Sequence, residues 1–248
     1  MIIKDTFLDD INEFSDDSLR VKKAFKESYD TNTDMYSQNI IAASFFVIFF
    51  SIFENAIKEL FKSYIQYLVS TFPTKMIPDK IFLSHISATS ISLKNMAKET
   101  GMLPQELLKI SKNLILCSKK NQLFKPDITN ICYLQNNIDF EQINELCKNV
   151  GINNFKKKIA TEPNIQAYYG SHNIDYVVRR ITSDFCQYKS ERKHMVHSCS
   201  FRSGVGSDHV YNYIKFAKRI TVNLALVLSK EILQLESIND SRSLQNTD

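Results

Sequence analysis

The stretch "IIAASFFVIFFSIF" at positions 40–53 constrains this chain more than any other. It is apolar on every side, so as a helix it has no face to give to water and must sit at the centre of a bundle or inside a membrane. The run covers 14 residues before "ENAIKELFK" restores charge, whereas a membrane-spanning helix needs about 20 apolar residues. We therefore read it as the first half of a buried core helix that starts near Asn32–Asp34 and runs to about Ser70, ended by Pro73 and Pro78. A membrane-associated protein built on residues 40–53 is the competing reading. Glu54 closes the run. Either it is a buried carboxylate that needs partners, or it marks the first turn to face water.

Composition supports a helical reading of the rest. Five glycines and five prolines in 248 residues are too few for the many tight turns of a sandwich or barrel. No glycine-rich phosphate loop is present, which removes P-loop and dinucleotide-fold nucleotide binding. The five cysteines (117, 132, 147, 186, 199) form no CxxC pair, so we read them as small buried hydrophobes in a reducing cytoplasm, with no metal site and no cofactor. The first residues, "MIIKDTFLDDINEF", lack the charged-then-apolar pattern of a secretion signal.

Apolar spacing predicts an entry helix within residues 5–30, packed on one side. A less regular middle follows, about 73–165. Within it lie a helix at 103–116 opened by a proline and a compact helix at 138–152, with Asp139 as cap, a Phe140/Ile143/Leu146/Cys147/Val150 stripe and Gly151 just past its end. Between them, "LFKPDITNICYLQNN" reads as loop with a short extended piece. From 173 the helical period returns, and a final helix begins at Ser207 or Asp208 and runs to about 236, before a polar tail, 237–248, expected to fray. We expect one all-α domain over 1–248, whose core helices at about 34–71 and 173–236 enclose the inserted middle.

The helix from 174 carries Val177, Val178, Ile181, Phe185 and Tyr188 at steps of three and four, and the same phase brings Arg192 and Met195 onto the stripe. That places "ERKHMVHSCS" (191–200) at the end of a core-facing helix. Arg192 and His197 stand five residues and roughly 140° apart. An arginine fork fits phosphate oxygens, and an imidazole at a helix C-terminus serves as acid or base near neutral pH. Metal-free RNA cleavage needs both: a proton leaves the 2′-OH, charge builds on phosphate, and the 5′-oxygen gains a proton. From 179 to 219 nine Lys or Arg residues, among them Arg179, Arg180, Lys189 and Arg202, face Asp184, Glu191 and Asp208, a local excess that would guide a phosphate backbone. Tyr188, Phe201, Tyr211 and Tyr213 lie among them as candidate base-stacking residues. His85, His172 and His209 read as structural or surface residues.

An R-x4-H motif at a helix end, followed by a polar break and a long last helix, resembles the HEPN superfamily of all-α ribonucleases. "FFSIFENAIKELFKSYIQ" (49–66), "NIDFEQINELCKNVGI" (137–152) and "IDYVVRRITSDFCQYKSERKHMVHS" (174–198) follow the order of its RiboL-PSP subgroup. The resemblance implies a homodimer that joins two motifs in one cleft. It also implies metal-independent cleavage of RNA to a 2′,3′-cyclic phosphate, and service as a toxin or antiphage effector restrained by a partner protein. Arg192 would hold the phosphate, His197 would move the protons, and Lys193, His194 and Glu54 would support them. Lys193 stands where the family commonly has a small polar residue, a departure that favours a non-catalytic module binding RNA or a partner protein. Cys199 stands where some toxins carry a modifiable tyrosine, so control by tyrosine modification is not expected.

Overall fold

The computed structural model describes residues 3–32, 34–96, 104–132, 138–197 and 206–245, with only the backbone of residues 92, 95, 96, 104, 106, 107, 197 and 242–245. Among the described residues there is no strand. The α-helices are α1 (Leu8–Asp30), α2 (Met35–Thr71), α3 (Asp79–Met96), α4 (Pro104–Ser118), α5 (Ile128–Ile131), α6 (Phe140–Asn149), α7 (Phe155–Ala160), α8 (Pro163–Tyr169), α9 (Ile174–His197) and α10 (Ser207–Gln245). Contacts gather them into two compact units. The first holds Met1–Leu60, Leu134–Ile143 and Lys156–Ser229, and the second holds the remainder.

In the first unit, the apolar half of α2 turns its rings into the core as expected, but not on every side: Ser44, Ile48 and Ser51 are exposed along the opposite face. Phe46, Phe49, Phe50, Phe53 and Ile57 are almost wholly inaccessible, and half of the most apolar window of α2 is covered by the chain itself, although its length and composition would also suit a membrane. Asp34 starts the helix by accepting from the Ser37 backbone N–H at 2.8 Å, and this bonding to Ser37 holds its carboxyl below the usual range. Phe14 and Phe25 come from α1, Val177, Ile181 and Phe185 from α9, and Tyr213, Phe216 and Leu224 from α10. Their rings interlock: Phe14 packs on Phe49 at 5.9 Å, Phe140 on Phe185 at 5.7 Å, and Phe185 on Phe216 at 5.0 Å.

In the second unit, the rest of α2 contributes Phe61, Tyr64, Ile65 and Leu68 to a core completed by Ile81, Phe82, Leu146, Cys147 and Val150. The start of α6 belongs to the first unit, where Asp139 caps it as expected, accepting from the Gln142 N–H at 2.8 Å. Gly151 follows with φ +90, where a Cβ would come within 2.5 Å of Pro78 Cβ, so only glycine fits the turn. The stretch expected as extended contains α5 instead, because Asp127 accepts from the Asn130 N–H at 3.2 Å and nucleates a helical turn. The tail expected to fray continues α10 as far as Gln245, since no glycine or proline interrupts it. Cys117, Cys132 and Cys147 are buried, Cys186 is exposed, and Cys199 lies outside the described residues.

Candidate functional site

The period that predicted an inward stripe on α9 holds in three dimensions. Val177, Ile181 and Phe185 are buried, and about two more turns in phase bring Arg192 to half-burial. Its guanidinium carbon stands 5.1 Å from the centre of the Phe50 ring, a cation–π contact at the edge of the core. Phe50 in turn stacks against Tyr213 at 5.7 Å. The Tyr213 phenol is pushed well above its ordinary range, first by burial, then by the negative charge of Glu54, while Arg192 pulls it back. One buried phenol therefore feels both Arg192 and Glu54, the two charged groups that the sequence singled out from opposite ends of the chain.

Glu54 resolves its two readings. It is 9% exposed, and its Oε1 accepts the backbone N–H of Ile138 at 2.8 Å, so it is a buried carboxylate with a structural partner. Tyr213 is not available for base stacking. The phase that buries Val210, Ile214 and Ala217 on α10 turns Tyr213 inward too, leaving it 1% exposed among Phe46, Phe49, Phe50 and Tyr188. Tyr188 is half-buried against the same rings, Tyr211 packs edge-on to Phe25, and Phe201 lies outside the described residues.

His197 is the last residue of α9; Lys193 and His194 are exposed on the preceding turn. Arg179 and Arg180 are exposed on the same helix, whereas Lys189 is paired with Asp139 at 2.5 Å and anchors α9 to the cap of α6. Arg202 lies outside the described residues. The sequence reading did not connect His209 to the motif. Its Nε2 meets Glu191 Oε2 at 2.5 Å, and Gln187 donates to the other Glu191 oxygen at 3.0 Å. Glu191, adjacent to Arg192 in sequence, is thereby engaged on both oxygens, and the end of α9 is tied to the start of α10. A histidine in the first turn of a helix gives no sign in sequence of an acid 18 residues away. Among the described residues no three His, Cys, Asp or Glu side chains gather as metal ligands would.

An all-α domain that ends a core-facing helix on R-x4-H and follows it with a long closing helix is a HEPN-type domain. The chain belongs to the RiboL-PSP-HEPN family, whose model matches residues 5–230. No curated protein and no solved structure matches the chain significantly.

Proposed function

We propose that this protein is a metal-independent endoribonuclease of HEPN type, working in the cytoplasm as a toxin or antiphage-defence effector. The observation that carries the reading is the placement of Arg192. A permanently charged guanidinium sits on the inward stripe over Phe50, about a turn and a half before the His197 that ends the helix. The ring alone stabilises the guanidinium by about 0.5–1 kcal/mol, and the same position would give a phosphate clamp a fixed geometry and a lower local dielectric.

The chemistry follows from the two groups. Arg192 donates to the non-bridging phosphate oxygens and stabilises the charge that builds there. His197 takes the proton of the ribose 2′-OH as the 2′-oxygen attacks phosphorus. The bond to the 5′-oxygen breaks, and that oxygen takes up a proton, leaving a 2′,3′-cyclic phosphate and a 5′-OH. In a homodimer formed through the motif-bearing helices, a second His197 serves as the acid while the first acts as base. Glu54 supports the site by fixing the segment before α6, Lys193 and His194 supply outer charge, and Arg179, Arg180, Lys189 and Arg202 belong to the RNA-binding surface. A partner protein, such as an antitoxin, restrains the activity.

One observation favours a second reading. Lys193 is exposed beside Arg192, where its charge suits simple binding of RNA or of a partner protein, and the module would then be a non-catalytic scaffold. Incubating the full chain with total RNA in EDTA, beside His197→Ala and Arg192→Ala, separates the two. Cleavage to cyclic-phosphate ends by the parent alone supports catalysis, and identical RNA profiles for all three proteins reject it. Light scattering at micromolar concentration tests the shared cleft, which a monomer would rule out.

A further inference from the structure

Away from Arg192, within the first unit, α8 and α10 border an open pocket of about 530 Å³, inside the range of about 300–1,000 Å³ common to ligand clefts. Asn164, Tyr168, Lys215, Lys218, Arg219 and Asn223 line it. Positions 215, 218 and 219 share one face of α10 at steps of three and four. Like charges so placed repel each other, and none of the three forms an ion pair among the described residues. Lys218 donates to Ser15 Oγ at 3.4 Å; its ammonium is pushed below the ordinary range by burial and then by Lys22, against an opposing pull from Asp16. These cations lack an anion that the fold does not supply.

Two further observations say what kind of anion. The guanidinium carbon of Arg219 stands 4.1 Å from the centre of the Tyr168 ring, and Tyr168 is 39% exposed, so the pocket lining includes a planar cation on an aromatic support. Asn223, 1% exposed, forms part of the lining. Its Nδ2 donates to the Arg219 carbonyl at 2.8 Å, which leaves Oδ1 with no hydrogen-bond partner among the described residues. A buried acceptor without a donor is costly and rare in a finished fold. An acidic peptide would answer the cations, but it brings a planar group only where an aromatic residue happens to fall, whereas every nucleotide carries both charge and ring. A nucleotide answers the cations and the stack together: phosphate for Lys215 and Lys218, and a flat base for Arg219 on Tyr168.

We propose that this pocket binds one nucleotide of a single-stranded RNA, as a subsite separate from the Arg192 and His197 centre. The proposal rests on RNA being the ligand of the protein, and it requires an unpaired base, because a paired base cannot stack on a side chain. Arg180, exposed on α9 and close enough to act electrostatically on Tyr168, extends the same basic surface along the strand.

The test is fluorescence anisotropy with a labelled, unstructured RNA of about 12 nucleotides. The full chain carries His197→Ala to prevent cutting, in EDTA and across a range of salt. Adding Lys215→Glu with Arg219→Ala is expected to weaken binding about tenfold or more at low salt and to lower the slope of log K against log salt by about 1. Tyr168→Ala alone is expected to cost about fivefold or more. Lys215 and Tyr168 are exposed, so their substitution leaves the core intact, and unchanged circular dichroism checks this. Unchanged affinity and slope overturn the proposal. So does equal displacement of the RNA by tripolyphosphate or by polyglutamate at matched charge, whereas selective displacement by adenosine 5′-monophosphate supports it. Binding through this pocket by a protein whose parent cuts no RNA would sink the catalytic reading and leave the subsite standing. Cutting by the parent, with binding indifferent to these variants, would sink the subsite alone.

Discussion

Arg192 and His85 are both polar side chains set among aromatic rings, and their surroundings treat them differently. His85, in the second unit, is 2% exposed and lies edge-on to Phe124 at 4.9 Å. Its Nδ1 accepts the Asp127 N–H at 2.9 Å, with Thr89 and Asn113 each 3.4 Å from a ring nitrogen. The ring organises α3, α4 and α5 around itself, and burial pushes its pKa down despite the pull of Asp127. Arg192, in the first unit, touches Phe50 on one side and remains partly open to solvent at a helix end. The contrast is between a histidine buried among hydrogen-bond partners and an arginine half-buried against one ring.

The sharpest way to break that contrast is to compare activity with stability in the same variants. His197→Ala and Arg192→Ala are expected to lower RNA cleavage by about a hundredfold or more, with melting temperatures near the parent's. A large drop in melting temperature with unchanged cleavage would make Arg192 architectural after all. Phe50→Ala, measured by urea denaturation, should cost about 3–5 kcal/mol of stability, because a fully buried ring leaves a cavity; residual folded protein should also cut RNA poorly, having lost the platform for Arg192.

His85→Ala should cost about 1–3 kcal/mol through the unpaired Asp127 N–H and leave cleavage per folded molecule unchanged. The pH dependence has a definite sign. The unfolded chain takes up a proton near the ordinary histidine pKa of about 6.5, while folded His85 resists it. Stability is therefore full above about pH 6.5 and falls as pH drops below it. His85→Leu should flatten that acid limb in melts at successive pH values; an unchanged limb would assign the loss to other groups. Smallest of all, Lys120→Ala removes an exposed pair with Asp79 and should change stability by less than about 1 kcal/mol.

Much of the fold was legible in the residues. The all-apolar run of α2, the α9 stripe and the capped α6 each follow from a local period or a local hydrogen bond, and those are properties of adjacent residues. Arg192 was legible for the same reason, as the next residue in phase after Phe185 and Tyr188. Tyr213 was misjudged because an aromatic among cations looks like a nucleic-acid contact until the helix phase is traced through its buried neighbours. His209, read as structural or surface, pairs with Glu191 on the neighbouring helix, and Tyr168 gives no sign in sequence because its partner Arg219 comes from another helix.

The sequence by itself determined that this protein is all-α, that α2 lies in the core, and that Arg192 and His197 close one helix. Spacing along a chain is enough to set each of those. Only the tertiary structure decided that Glu54 serves the Ile138 amide, that Glu191 turns to His209, and that α8 meets α10 around a basic pocket. Each of these depends on which helices become neighbours, and packing, not local pattern, settles that choice.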